Sequence, residues 1–300
     1  MIQLMNVTKH FEKQEAVKDV TLSVKKGTIY GLLGSNGAGK TTLLKMLAGI
    51  YRPSTGSVLV KEQAVFENTT IKENMIYIPD TIYFLPLATV EQMASYYQNI
   101  YPTWNEERYR SLESVFSITR KQKVHRLSKG MQRQVAFWLA LSCMPELLIL
   151  DEPIDGLDPV MRQKIKNLLF QDVAEREMTI IISSHNLREI EDLCDHVGIM
   201  HKGQLLIEKE IDELKADTHK IQVAFRHKDH RTKILANCSV LHQEQRGSVS
   251  LFIIRGEADA ISAAFTALDP LVFDLLPLTL EEIFIYEMGD HGYEINNILL

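Results

Sequence analysis

Eight consecutive residues constrain this chain more than any other feature. Gly34-Ser35-Asn36-Gly37-Ala38-Gly39-Lys40-Thr41 fits G-x-x-x-x-G-K-[ST] at every fixed position. A triphosphate is bound by several donors converging at short range. Glycines remove side chains, so successive backbone N–H groups can wrap the phosphate oxygens. The apolar run Ile29 to Leu33 before the loop reads as a strand. Thr41 to Ile50 after it carries helical spacing, with Leu43, Leu44, Leu47 and Ile50 apolar. The helix start adds positive potential where the phosphates would lie. Lys40 is placed to reach the β- and γ-phosphates, the Thr41 hydroxyl to ligate Mg²⁺, and Thr42 extends the nucleotide-binding set. A chance glycine turn is the plain alternative, and the strand–loop–helix context weighs against it.

Leu147 to Leu150 is a continuous apolar run that ends in Asp151-Glu152. Such a run is expected of a strand buried on both faces, and open α/β sheets place ligands at strand ends. Asp151 is the candidate Mg²⁺ ligand, directly or through water. Glu152 is the candidate for polarising the water that attacks the γ-phosphate. Two adjacent acids alone would more often be a solvated strand end; the apolar run and the upstream loop reverse that. Thr179 to Ser184 reads as a further strand. Strands alternating with helices predict an α/β fold with a parallel or mixed central sheet and helices on both faces.

Residues from about 86 to 145 read as a helical insertion within that fold, with helices over Val90–Tyr101, Glu106–Phe116 and Lys129–Cys143. After about Leu214 the pattern changes. Lys220–Phe225, Ser248–Ile254 and Leu271–Leu275 read as strands, and Ala258–Leu268 and Leu280–Met288 as helices. The expected organisation is a P-loop NTPase domain over residues 1–214 and a small α+β domain over 215–300, joined through Glu208 to His219.

Other segments resemble the ATP-binding cassette (ABC) family. Leu127-Ser128-Lys129-Gly130-Met131-Gln132 resembles its L-S-G-G-Q signature and lies between the phosphate loop and the acidic strand, in the family's order. Gly156-Leu157-Asp158-Pro159 resembles its D-loop, and His185, after the strand Thr179–Ser184, its switch histidine. Phe11 sits where the family has an aromatic that stacks on adenine. Each piece has a plainer reading: Ser128 as a helix cap, Gly156–Pro159 as a turn, His185 as a core histidine, Phe11 as packing.

The resemblance implies an ATPase using ATP and Mg²⁺. Two cassettes would face head to tail, each ATP lying between one subunit's phosphate loop and the other's Ser128, Lys129, Gly130 and Asp158. Two segments depart from the family pattern. Lys129 and Met131 replace a glycine and the glutamine of the signature, with Gln132 as a stand-in for the lost polar contact. Asp80, after Met75–Pro79, stands where a glutamine is usual and is taken as a catalytic outer-shell metal contact. Bacterial export-type cassettes often look like this, with an acid after proline and a lysine in the signature, and the tail Pro277–Phe284 resembles the C-terminus of that subgroup. The expected partners are therefore a separate transmembrane permease and a second cassette, either an identical copy or a paralogue. Tyr83, Phe84, Tyr96, Tyr97, Tyr101 and Trp104 supply aromatics near the insertion, one or two of which would face the permease.

Composition narrows the alternatives. A formal net charge of −6 with scattered Lys and Arg argues against broad nucleic-acid binding, so no nucleic-acid partner is expected. Three separated cysteines, Cys143, Cys194 and Cys238, form no metal or disulfide pattern and read as reduced thiols. No apolar stretch approaches the roughly 18 residues that span a bilayer. The expected location is cytoplasmic and peripheral on the inner face of the membrane, through the partner. A soluble cassette acting on ribosomes or DNA is the main alternative. A binding module without turnover is a further one, disfavoured by the presence of Lys40, Asp151, Glu152 and His185.

Overall fold

The computed structural model describes residues 1–12, 14–225 and 238–283. The chain divides into two compact units, one of Met1–Asn186 with Leu193–Glu208, the other of Leu187–Asp192 with the chain from Lys209 onward.

The first unit is built on a six-stranded sheet. Its strands are β3 (Ile29–Leu33), β6 (Met75–Ile78), β7 (Leu147–Asp151), β8 (Thr179–Ser184), β9 (His196–His201) and β10 (Gln204–Glu210), in the order β10-β9-β3-β8-β7-β6. Pairing is parallel from β6 through β7, β8 and β3 to β9. Every residue of β3, β7 and β8 is buried, which is why these strands read as unbroken apolar runs. The parallel register brings the C-terminal ends of β3, β7 and β8 together, and the phosphate loop, Asp151 and His185 all follow those ends.

A second sheet is antiparallel; Met1–Lys9 reads as a strand in the sequence, but its partners were not expected. It contains β1 (Ile2–Phe11), β2 (Gln14–Val24), β4 (Thr55–Val60) and β5 (Gln63–Ala64), in the order β2-β1-β4-β5. Register shifts along β1 break the strict alternation that would have marked it. Its inward residues, including Ile2, Leu4, Val20 and Leu22, share one apolar cluster with Leu43, Leu44 and Leu47 of α1 (Lys40–Leu47) and with Leu147 and Ile149. Helix α1 stops before Ile50, where the sequence placed its end, because Gly49 adopts φ +63.

Between β6 and β7 lies the helical region. The short α2 (Thr69–Lys72) precedes β6, and after β6 come α3 (Val90–Ile100), α4 (Glu106–Phe116) and α5 (Lys129–Ser142). Thr89 and Gln92 form a reciprocal capping box on α3, and Asn105 caps α4. Trp138 is fully buried on α5, stacks on Tyr109 and Phe116 of α4, and donates to the Tyr109 carbonyl at 2.8 Å. Helix α6 (Pro159–Arg176) connects β7 to β8.

In the second unit the described elements are α7 (Leu187–Glu191), α8 (Ile211–Asp217), β11 (Thr218–Ala224), β12 (Ser239–Arg246), β13 (Val249–Arg255), α9 (Ala258–Thr266) and β14 (Val272–Leu276). The strands form an antiparallel sheet in the order β12-β13-β11-β14. Ile221, Val223, Phe252 and Ile254 pack with Ile261 and Phe265 of α9. The sequence reading missed β12, an edge strand whose polar run His242-Gln243-Glu244-Gln245-Arg246 shows no apolar face. Of the tail helix expected over Leu280–Met288, Thr279 and Glu282 form a reciprocal cap at its start. Its residues from Phe284 on lie outside the described residues. Among the described residues no helix is long and apolar enough to cross a membrane.

Candidate functional site

The phosphate loop runs from β3 into α1 and floors a cavity of about 580 Å³. Ser35, Asn36, Gly37, Ala38, Gly39, Lys40, Thr41 and Thr42 line it, with Phe11, Asp80 and Glu152 on its walls. Gly39 shows why the loop needs glycine. Its φ is +104, and a Cβ there would lie 2.5 Å from the Ala16 carbonyl oxygen. Gly34 lies beneath the loop, and its carbonyl accepts from Lys40 Nζ at 2.6 Å. That bond folds the lysine back over the loop, the place from which it can meet phosphate oxygens.

Asp151 ends β7 with 1% of the residue exposed. A carboxylate so deep needs donors, and three hydroxyls supply them. Thr41 Oγ1 donates at 3.1 Å and Ser183 Oγ at 2.7 Å to Oδ1, and Tyr77 Oη donates at 3.1 Å to Oδ2. Burial, with the Asp151 charge beside it, pushes the Tyr77 phenol well above its ordinary range, so it stays a donor. Neither Tyr77 nor Ser183 was foreseen from the sequence. Ser183 on β8 pairs directly with Asp151 and Tyr77 lies on β6 opposite Ile149, pairings that spacing along the chain does not reveal. A hydroxyl beside a buried carboxylate is an all-oxygen donor set, which fits Mg²⁺.

Glu152 follows immediately, with φ +47, a conformation that costs a non-glycine residue on the order of 1–3 kcal/mol unless the surroundings hold it. Its backbone N–H is held by Ser183, through the carbonyl at 3.2 Å and the hydroxyl at 3.1 Å. Its side chain spans the site. Oε1 lies 3.3 Å from Lys40 Nζ, and Oε2 lies 2.9 Å from His185 Nδ1 while accepting from the His185 backbone N–H at 3.2 Å. A carboxylate held between an ammonium and an imidazole at the mouth of a phosphate loop is placed to orient water.

Asp80 lies on the cavity wall after β6, and its Oδ1 accepts from Arg133 Nη2 at 3.2 Å. Phe11 meets Tyr51 edge to face at 5.3 Å, with Lys9 Nζ 5.1 Å above its ring, and stays 40% exposed toward the cavity. The signature and D-loop residues are gathered elsewhere. Among the described residues, none of Ser128, Lys129, Gly130 and Asp158 lines the phosphate-loop cavity. Ser128 Oγ caps α5 by accepting from Met131 N–H at 3.2 Å, and Asp158 Oδ1 caps α6 by accepting from Met161 N–H at 3.0 Å. Gly130 packs so closely on the D-loop that a Cβ would sit 2.6 Å from the Gly156 carbonyl oxygen. The Gln132 amide donates back to the Leu127 carbonyl at 3.0 Å. Lys129 is exposed and lines a separate cavity of about 380 Å³ with Arg133, Asp155 and Gly156.

A family model described as "ABC transporter" matches residues 17–155. The ABC transporter ATP-binding protein YtrB of Bacillus subtilis (strain 168) is 33% identical over 290 residues, covering 96% of this chain and 98% of that protein. The bacitracin transport ATP-binding protein BcrA of Bacillus licheniformis is 36% identical over 234 residues, covering 73% of each. Among solved structures, an ATP-binding subunit of an ABC transporter superposes with a TM-score of 0.67 at 26% identity, covering 72% of this chain and 92% of that one.

Proposed function

This chain belongs to the ABC transporter family as one of its ATP-binding, ATP-hydrolysing subunits, and from that premise we propose that it drives export through a separate membrane-spanning permease. The observation that carries the reading is the chain of contacts Lys40–Glu152–His185 across the mouth of the phosphate loop. The likeness to a bacitracin transport protein and to a linearmycin resistance ATP-binding protein of Bacillus subtilis supports the direction of transport.

In this reading residues 1–214 are the ATPase domain, with the helical insertion at about 86–145, and 215–300 are a C-terminal domain. Backbone N–H groups of Ser35–Thr41 and Lys40 Nζ hold the phosphates, and Phe11 borders the adenine. Thr41 and Asp151 hold Mg²⁺, which neutralises phosphate charge when bound. Glu152 accepts a hydrogen bond from the attacking water, and His185 keeps that carboxylate aimed. The aim is held within the chain, since both carboxylate oxygens have partners of its own.

Ser128, Lys129, Gly130 and Asp158 serve the nucleotide of a second cassette. Their exclusion from this chain's own cavity supports that role, as do the exposed Ser128 and Lys129 at the N-terminus of α5, where Lys129 and the N–H groups beside the Ser128 cap can meet a γ-phosphate. Tyr83, just before the insertion, is 80% exposed, and Leu87 and Tyr96 within it are exposed, apolar side chains that suit short apolar helices of a permease. Phe84, Tyr97, Tyr101 and Trp104 are half-buried and belong to packing.

Affinity purification of the chain from solubilised membranes tests the reading. We expect a polytopic membrane protein to co-purify, and its deletion to release the chain into the soluble fraction. An unchanged distribution after deletion overturns the exporter assignment.

A further inference from the structure

Arg133 lies in the second turn of α5, and only 8% of it is exposed. Its Nη1 donates to the carbonyl oxygens of Glu152 at 2.8 Å and Asp155 at 2.6 Å. Its Nη2 donates to the carbonyl oxygen of Asp80 at 2.6 Å and to Asp80 Oδ1 at 3.2 Å. One planar fork therefore joins the signature helix to the loop after β6 and to the turn after β7. A buried guanidinium needs compensation, and here carbonyl dipoles and one carboxylate provide it. That carboxylate, Asp80, is 60% exposed, so the pair reaches from the interior to the wall of the nucleotide cavity.

The carbonyl held by Nη1 belongs to Glu152, whose left-handed backbone persists only where its surroundings hold it. The Glu152 N–H is held from the other side by Ser183. Both peptides flanking the Glu152 Cα are thus fixed, one by β8 and one by Arg133. A small rotation of either would swing the carboxylate away from Lys40 and His185. Steps of this kind are sensitive to displacements of about 1 Å.

We propose that Arg133 is a positioning residue for hydrolysis, and that Asp80 acts through it as the counter-ion that seats the guanidinium. The proposal rests on the reading of Glu152 as the hydrolytic carboxylate. Asp80 then contributes to turnover by fixing a peptide, and its role as an outer-shell metal contact is unnecessary. Nothing in this arrangement touches the phosphates, so nucleotide affinity is set elsewhere.

The test uses the purified full chain with Arg133→Gln, Arg133→Lys, Asp80→Asn and the Arg133→Gln/Asp80→Asn double variant. Thermal unfolding confirms that each is folded, nucleotide titration gives ATP affinity, and steady-state assays give kcat. We expect Arg133→Gln to lower kcat about thirtyfold while ATP affinity stays within about threefold. Arg133→Lys, which keeps the charge and part of the donor set, should recover a share of that loss. Asp80→Asn should lower kcat about fivefold in wild type and produce no further loss in Arg133→Gln, as expected for two groups acting as one unit. A folded Arg133→Gln with kcat within about threefold of wild type overturns the proposal. So does a full, additive Asp80→Asn penalty in the double variant. If Arg133→Gln does not fold, the same comparison is made with Arg133→Lys. Failure of the underlying reading is seen separately, as wild-type turnover in Glu152→Gln.

Discussion

At the phosphate-loop end of the molecule, the functional groups are bonded to one another. Lys40 meets Glu152, Glu152 meets His185, and Thr41 meets Asp151, all within one chain. At the signature end, the corresponding groups are spent on local structure. Ser128 and Asp158 cap the helices they precede, Gly130 packs against Gly156, and Lys129 points into a different cavity. A catalytic set can be judged complete when its members satisfy each other. A set whose members hold only the ends of helices presents those ends to something outside the chain. In the reading proposed above, the first set is one cassette's nearly finished site and the second is the detached piece that a head-to-tail partner would receive.

Substitutions at the two ends should behave differently. The largest effect is expected from Glu152→Gln, which keeps the shape and loses the charge that polarises water. Its kcat should fall about a thousandfold, with ATP affinity within about threefold of wild type. With ATP and Mg²⁺ it should run as a stable dimer in size-exclusion chromatography; turnover near wild type would remove Glu152 from the chemistry. Lys129→Glu comes next and reverses the charge at the detached end. The single subunit should bind ATP as before, but the ATP-dependent dimer should vanish even in the Glu152→Gln background, and turnover should drop about a hundredfold. Weakened ATP binding by the monomer would mean that the two ends are not separate.

Tyr77→Phe probes the interior of the finished end more gently. It removes one of three hydroxyl donors to Asp151 at constant shape. Support of a ligand by such a neighbour is typically worth tenfold or more in metal affinity, so Mn²⁺ binding to the ATP complex, followed by electron paramagnetic resonance, should weaken about tenfold. An unchanged Mn²⁺ affinity would reduce Tyr77 to packing. The smallest effect is expected from Asp158→Ala. Loss of the cap on α6 should cost about 1 kcal/mol of stability in denaturant unfolding, with ATP affinity of the monomer unmoved. A loss of monomer ATP affinity would place Asp158 in the finished site after all.

The parts of this architecture that could be read from the sequence are those with a local physical signature. The strands Ile29–Leu33 and Thr179–Ser184 are found over the residues expected, because burial on both faces leaves an unbroken apolar run. The phosphate loop and the Asp151-Glu152 pair were legible because their chemistry demands fixed spacing. Tyr77, Ser183 and Arg133 were not, although they bond directly to the acids. Each reaches its partner across a strand register or a helix packing that spacing along the chain does not encode. Strand β1 falls on Met1–Lys9, which reads as a strand in the sequence, but its partner β2 was not legible, because bulges interrupt the alternation that would have paired them. Asp80 pairs with Arg133, 53 positions away, a partner that no local pattern reveals.

The burial of Trp138 against Tyr109 and Phe116 has an optical consequence. The chain has two tryptophans, Trp138 and Trp104, and both belong to the helical insertion, where Trp104 lies 5.2 Å from Tyr109. Selectively excited indole emission thus comes from that insertion alone, with no substitution or label needed. Trp138 shares α5 with Lys129 and Arg133, so a change in its quantum yield or emission maximum records what happens to that helix as nucleotide, a second cassette or a permease arrives. The protein carries its own fluorophore on the helix whose response to each arrival is of most interest.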